Sequence, residues 1–294
     1  MRAVVVSTFG GPEAVEVVET EVPEPGARQI RIKVGAAALN PVDAGVREGV
    51  FGGAGERLGL GWDVAGTVDA VGADAGWTVG EEVVALLHGT VKPLGTHAEY
   101  AVVDADAVAK APAGADAVRA ATVPLNALTA AQALDLLEVA PGRSLLVTGA
   151  AGAVGGYAVQ LAAHRGIEVT ALAREADADL VRSLGAARLA GAEEGGFDAV
   201  LDAAVLGEPA LERVRDGGAY VGVIPGAQPA PVRGVRTAAV EVRADGARLA
   251  ELVGLVEKGV LTLRVAGTYA LDEAARAHAR LAEGGVRGRL VLVP

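Results

Sequence analysis

Residues 144–163, SLLVTGAAGAVGGYAVQLAA, constrain this chain more than any other stretch. They open with an apolar run of β type, Leu145-Leu146-Val147, and break at Gly149, with further glycines at Gly152, Gly155 and Gly156. Beyond the break, Val154, Ala158, Leu161 and Ala162 fall on one face of a helix. A strand, a glycine loop and a helix start, in that order, bring backbone N–H groups and the positive end of a helix dipole to one spot, where a pyrophosphate can sit. The spacing is Gly149-x-x-Gly152-x-x-Gly155, so Ala150 stands where G-x-G-x-x-G has its first glycine. The stretch is also uncharged and about as long as a bilayer span of roughly 20 residues. Four glycines in mid-run, with Thr148 and Gln160, suit a strand–turn–helix better than a continuous apolar helix. Ala151, Gly152, Ala153 and Val154 are the candidate phosphate-binding residues.

The rest of the chain falls into two textures. Up to about residue 115 it reads as short strands (3–7, 14–19, 29–37, 64–71, 82–87 and 97–103) with glycines and prolines between them, which indicates a β-rich barrel or sandwich. Asn40-Pro41-Val42-Asp43 is a loop in which Asp43 can cap the short helix that follows. Helical spacing then appears at 116–121 and 127–137. Strands at 144–148, 168–173, 198–202 and 218–224 alternate with helices at 154–165, 177–184 and 208–214. That alternation predicts a doubly wound parallel sheet. A strand at 235–242, a helix at 246–257 and a strand at 261–265 follow. The tail, an amphipathic helix at 272–283 and a strand at 288–293, is expected to fold back onto the N-terminal part.

With 294 residues, 51% of them hydrophobic, the chain can bury one large core or two medium ones. A net charge of −11 argues against nucleic acid or an anionic membrane as the main partner. The absence of cysteine excludes disulfides and thiolate-held metals. The first six residues are too short an apolar run, too soon followed by Gly10-Gly11-Pro12, to act as a secretory signal, so a cytoplasmic location is expected.

Several segments, in order, resemble the medium-chain dehydrogenase/reductase superfamily in its zinc-free quinone-oxidoreductase branch. They are AALNPVDAGVREG (37–49), LGWDVAGTVDAVG (60–72), VGEEVVAL (79–86), GTHAEYAVV (95–103), VPLNALTAAQAL (123–134), VTGAAGAVG (147–155) and HARLAEGGVRGRLVLV (278–293). The resemblance implies an α/β protein of two parts. One is a GroES-like β-rich catalytic domain, residues 1–117 and 264–294, and the other a Rossmann domain, residues 118–263, that binds a nicotinamide cofactor in the cleft. In the zinc enzymes of the superfamily a Cys stands at the position of Asn40 and a His-Glu pair at Trp62-Asp63, so no zinc site is expected here. Many quinone reductases of the branch carry a Tyr at the position of Gly45, whereas Arg47 matches the family's basic residue. Pairing through the edge of the Rossmann sheet, around 235–242, implies a homodimer.

The resemblance also assigns individual residues. Asn40 is expected beside the nicotinamide, or else as a cap of its loop. Asn40, Arg47 and Trp62 are the expected catalytic set. Trp62 and Phe51 are candidates for the wall of the substrate pocket, with core packing as the plainer alternative. Thr129 is expected near the cofactor phosphate or ribose, unless its hydroxyl bonds back to its own helix. Val223 and Ile224, after the sixth strand of the sheet, would bring backbone groups to the nicotinamide amide, and Ala203 belongs to the same cofactor-binding set. Asp198 and Asp202 are read as structural and Glu81-Glu82 as a solvated turn. At the end of the second strand, where an NAD enzyme places an acid for the ribose 2′-OH, the chain has Ala173 followed by Arg174. A guanidinium there suits a 2′-phosphate and favours NADPH, the alternative being a solvent-facing Arg174 or one paired with Glu175.

Hydride transfer without a metal suits a quinone or an enone, whose reduction leaves a weakly basic phenolate or enolate, better than a simple ketone, whose alkoxide needs zinc or a placed acid. Two other readings stay open: an enoyl reductase tailoring a polycyclic secondary metabolite, and a non-catalytic NADPH-binding sensor.

Overall fold

The computed structural model describes residues 1–53, 55–191 and 194–294. The chain divides into two compact units: Met1–Leu125 with Arg243–Glu257 and Leu263–Pro294, and Asn126–Val242 with Lys258–Thr262.

In the first unit, Arg2–Val6 pairs antiparallel with Val15–Glu19 and with Leu58–Gly59. A larger sheet runs in the order Val265–Ala270, Arg289–Val293, Gln29–Leu39, Asp63–Val71, Glu82–Leu86, Val108–Lys110, with Tyr100–Asp104 also paired to Gln29–Leu39. The 11-residue strand Gln29–Leu39 is the axis of this sheet. Its first part alternates Ile30, Ile32 and Val34 into a core with Val64, Val68, Val83 and Val103, as the period of two requires. Its last residues pair with the C-terminal strand, Leu39 opposite Leu290 and Ala37 opposite Leu292. The helix Ala274–Ala282 packs beside that pairing, placing Ala274 and Ala277 in one cluster with Val4, Leu39, Leu58 and Leu290. The tail therefore does fold back onto the N-terminal part.

The boundaries differ from the expected division in two places. The first unit runs past residue 117 to Leu125, whose N–H donates to Asp63 Oδ1 at 2.6 Å. The helix Gly246–Glu257, expected in the nucleotide module, belongs to the first unit. Gly246 approaches the chain so closely that a Cβ there would stand 2.5 Å from Val108 O and 2.6 Å from Asp106 O, and Glu257 accepts the Ala113 N–H at 2.9 Å. The strand expected at 261–265 lies instead at Val265–Ala270. Leu261 is buried, and the Thr262 N–H donates to Gln160 Oε1 at 2.8 Å, so that short apolar run docks on the second unit instead of pairing in a sheet.

The second unit holds six parallel strands in the order Arg188–Leu189, Glu168–Leu172, Ser144–Thr148, Phe197–Asp202, Val214–Gly222, Arg236–Ala239. Numbered along the chain this is 3-2-1-4-5-6, the doubly wound order with its switch point beside the first strand. The strand expected at 218–224 is thus the fifth, not the sixth, and it starts earlier, at Val214. Arg236–Ala239 forms one edge of the sheet. Among the described residues no helix is long and apolar enough to cross a membrane.

Candidate active site

The glycine loop sits at the switch point. Thr148 ends the first strand in register with Leu172 on one side and Asp202 on the other. Gly149 turns the chain at φ +59°, and its carbonyl accepts the Gly152 N–H at 2.8 Å. Gly152 then caps the helix Ala153–His164. A Cβ at Gly155 would lie 2.8 Å from the Gly149 carbonyl carbon and 2.9 Å from Ala150 Cα, so only glycine lets the first helical turn close onto the loop. The first turn of a helix has N–H groups with no intrahelical acceptor, here those of Ala153 and Val154, and both residues are half-buried. This cradle fits a pyrophosphate. Leu172 O accepts the Ala150 N–H at 3.4 Å, tying the loop to the second strand, and Arg174 follows two residues later. Arg174 is exposed, and no ion pair or hydrogen bond of its guanidinium is seen among the described residues, so it has no link to Glu175.

The other expected cofactor residues of this unit take their places around the strand ends. Ala203 directly follows the fourth strand; Val223 and the exposed Ile224 follow the fifth. Thr129 is buried in the helix Pro124–Leu137. Asp202 and Asp198 are structural. Asp202 accepts from Thr148 Oγ1 at 2.6 Å, Tyr220 Oη at 2.8 Å and the Gly207 N–H at 2.8 Å. Asp198 accepts from the Ser144 N–H and Oγ and from Arg215 Nε, each at 2.9 Å, and these donors hold its carboxyl low, at about 2.

In the first unit the chain leaves the long strand at Leu39 and delivers Asn40 to a buried polar cluster. Asn40 is extended at φ −120°, and Pro41 starts the helix Pro41–Arg47 with a φ already suited to it. The helix cap is therefore Asn40, not Asp43. Asp43 lies inside the first turn, where Oδ2 accepts the Asn40 N–H and Oδ1 the Gly61 N–H, both at 2.8 Å. The Asn40 amide points into the domain: Nδ2 donates to Asp63 Oδ2 at 2.6 Å and to Ala38 O at 3.3 Å, and Oδ1 accepts from Arg289 Nη1 at 3.0 Å. Both ends of the Asn40 side chain are thus engaged within this cluster. Burial pushes the Asp63 carboxyl up to about 7, against the lowering effect of the Leu125 N–H, Asn40 and Arg289.

Arg47, the other polar residue of the expected catalytic set, is engaged within the first unit. It is buried, with Nε donating to Gly10 O at 3.0 Å, Nη1 in contact with His278 Nδ1 at 3.2 Å, and Nη2 paired with Glu48. It links the N-terminal chain to the C-terminal helix. Burial first, then His97 and Arg47, push the His278 imidazole down to about 3. At Gly45 the Phe51 ring takes the space of a side chain: a Cβ there would stand 2.7 Å from it.

Trp62 is buried, its ring edge-on to His88 at 5.2 Å. Beside it runs a segment of which only the end, from Gly95, belongs to a family-like motif. The Gly59 N–H donates to Lys92 O at 2.8 Å, the His97 N–H to Leu60 O at 3.0 Å and the Leu87 N–H to Trp62 O at 2.8 Å. A Cβ at Gly95 would stand 2.9 Å from Gly61 O and closer still to the Leu60 carbonyl, so this crossing requires glycine. It brings the half-buried Lys92 over the Trp62 ring, Nζ 4.6 Å from the centroid. Asp63, Lys92 and Arg289 are the residues that sequence reasoning missed. Asp63 and Arg289 stand in the family-like segments 60–72 and 278–293 without a role assigned to them; Lys92 stands in none.

The donor set does not fit zinc. The chain has no cysteine, the Asn40 amide is held by Asp63 and Arg289, His97 Nε2 is bonded to Ala38 O at 3.1 Å, and Trp62 offers no lone pair. Among the described residues no cluster of three His, Asp or Glu side chains is placed to hold a metal.

Comparison with known proteins agrees with this architecture. Residues 26–113 match the family described as "Alcohol dehydrogenase GroES-like domain", and residues 173–292 match "Zinc-binding dehydrogenase". An NADPH-dependent alkenal/one oxidoreductase of Arabidopsis thaliana is 34% identical over 100% of this chain and 80% of its own length. The quinone oxidoreductase of Coxiella burnetii superposes with a TM-score of 0.88 at 27% identity, covering 100% of this chain and 99% of that one. An NAD-dependent alcohol dehydrogenase superposes with a TM-score of 0.89 at 31% identity over 100% of both chains. The chain belongs to the medium-chain dehydrogenase/reductase superfamily, in its quinone-oxidoreductase branch.

Proposed function

We propose that this protein is a zinc-independent, NADPH-dependent reductase of quinones and of enones or enals. The observation that carries the reading is the donor set of the first unit. Where a Lewis acid would need thiolate or imidazole, Asn40, Trp62 and Asp63 supply an amide already engaged, an indole and a buried carboxyl near neutrality. A substrate whose reduced form is a weakly basic anion is the one such a site serves.

NADPH supplies the hydride. The chain's own part is binding and orientation. The first-turn N–H groups of Ala153 and Val154, with the helix dipole behind them, hold the pyrophosphate. Arg174 takes the 2′-phosphate, and Ala173 offers a free 2′-OH no acceptor, which sets NADPH above NADH even though alcohol dehydrogenases using NAD share the fold. Ala203, Val223 and Ile224 line the strand ends toward the nicotinamide, with Thr129 serving the ribose or phosphate. Trp62 gives a flat apolar face to a planar substrate, and the Asn40–Asp63–Arg289 network keeps the segment that carries it rigid.

The test is NADPH consumption with quinones, enals and enones, with saturated ketones as controls. Oxidation with the first three classes and none with the ketones is expected. Steady reduction of a saturated ketone, or no oxidation with any acceptor, overturns the reading, and the second result points to a cofactor-binding sensor.

A further inference from the structure

We propose that the Lys92 ammonium is a catalytic group of this reductase: it receives the negative charge that develops on the substrate's carbonyl oxygen, in a small anion site built over Trp62. The proposal rests on the reductase reading above and names the residue that reading lacks.

Lys92 has three N–H donors. Two are engaged by backbone carbonyls, Gly89 O at 2.7 Å and Leu87 O at 3.3 Å. No third acceptor is seen among the described residues, so only the Trp62 π face, 4.6 Å away, competes for the remaining N–H. An oxyanion is a far stronger acceptor than a ring face. The titratable groups around Lys92 are Asp43, Asp63, the buried His97, whose imidazole burial holds below its ordinary value, and His88 on the same Trp62 ring; neither carboxylate pairs with the ammonium by contact. Both oxygens of Asp43 are taken by the N–H groups of Asn40 and Gly61, and both of Asp63 by the Leu125 N–H and the Asn40 amide. The carboxylates thus act on Lys92 only at a distance. A half-buried cation held by its backbone contacts, with one donor unspent and no ion pair, is placed to bind an anion. Its position is fixed by main chain: the Lys92 carbonyl is bonded to Gly59, and the Gly95 crossing holds the far end of the segment.

When an enone gains a hydride at its β carbon, the C=C pair moves to the bond between the α carbon and the carbonyl carbon, and the carbonyl pair collects on oxygen. Lys92 donates its free N–H to that oxygen and keeps its proton. One proton from water, delivered to the α carbon, restores the carbonyl; for a quinone, one proton from water on the phenolate completes the hydroquinone. Burial lowers the Lys92 ammonium to about 8, so the charge is present at neutral pH and lost as the pH rises through that value.

The experiment uses 2,4-dinitrophenolate as probe and 2,4-dinitroanisole as its uncharged counterpart, titrated into wild type, Lys92→Met and Lys92→Arg. Lys92→Met should weaken the phenolate about tenfold or more. It should leave the anisole and NADPH affinities unchanged, while Lys92→Arg keeps phenolate binding. In wild type, phenolate affinity should fall as the pH rises through about 8. That measurement needs no variant, so the proposal stays open to refutation even if Lys92→Met fails to fold. Equal phenolate affinity in wild type and Lys92→Met, or a wild-type affinity flat across that pH range, overturns the proposal. Turnover of enones at equal kcat in wild type and Lys92→Met overturns it as well. If wild type reduces no quinone or enone but phenolate binding still depends on Lys92, the reductase reading falls and the anion site stands.

Discussion

Replacing His278 by glutamine should change how the first unit responds to acid, and the size of the change follows from its surroundings. His278 is 1% exposed and held near a pKa of about 3, against 6.5 for an ordinary imidazole. The unfolded chain therefore binds a proton between those values that the folded chain refuses. The stability this group allows is fully present above about pH 6.5 and is lost as the pH falls toward 3. Each pH unit in that window is worth about 1.4 kcal/mol, or about 2 kcal/mol between pH 6.5 and about pH 5. Asp63 works in the opposite sense. Its folded value of about 7 lies above the ordinary 3.8, so its contribution is complete below 3.8 and is lost as the pH rises through 7. Across their shared window the two slopes nearly cancel in the wild type. The substituted amide of His278→Gln would keep an oxygen for Arg47 but could not titrate, leaving the Asp63 slope uncovered. Denaturant unfolding followed by tryptophan fluorescence reports this unit alone, because Trp62 and Trp77, the chain's two tryptophans, both lie in it. Between pH 6.5 and about pH 5 the variant should gain about 2 kcal/mol relative to wild type. Parallel profiles would refute the reasoning.

Four further outcomes are expected. Arg174→Ala should weaken NADPH by about one decade, from the loss of a charge-assisted contact worth about 1.5 kcal/mol at an exposed site, and leave NADH unchanged; direct titration of both cofactors checks it. Gly155→Ala forces its Cβ to within 2.8 Å of the Gly149 carbonyl carbon, so it should cost about 1–3 kcal/mol and weaken NADPH alongside, as read by melting and titration. Chelators should leave turnover unchanged, and light scattering at micromolar concentration should give a dimer paired along Arg236–Ala239; a stoichiometric zinc or a stable monomer counts against the respective expectation.

The parts that were legible in the sequence are those whose physics is local. The glycine loop, the strand–helix alternation and the Ala173-Arg174 pair are each written within a few adjacent residues, and the structure places them at one end of one sheet. The polar cluster of the first unit was not legible, because its bonds join Asn40 to Asp63 and to Arg289, residues 23 and 249 positions apart. No spacing rule reaches that far. Family resemblance assigned roles to Asn40 and Arg47 from their own positions, while the partners that hold them lie too far along the chain for any motif to join them. The strand at Val265–Ala270 was displaced for a related reason: Leu261 is apolar because it packs under the second unit, and a hydrophobic run cannot say whether it pairs or docks.

The pairing of Leu39 with Leu290 has a consequence for biosynthesis. A ribosome delivers residues 126–242 as one uninterrupted run, and these make up nearly all of the second unit, so its sheet can close while translation continues. The first unit must wait. Its central strand is emitted early yet lacks one neighbour until Arg289–Val293 emerges, and the same late segment brings Arg289 to Asn40. A nascent chain therefore carries a finished cofactor module beside an unfinished β-rich one, whose open strand edge is exposed for most of the time of synthesis. Pulse proteolysis of arrested chains should find residues 126–242 protected before any part of the N-terminal sheet. Simultaneous protection of both would mean that the early strands close without their last partner.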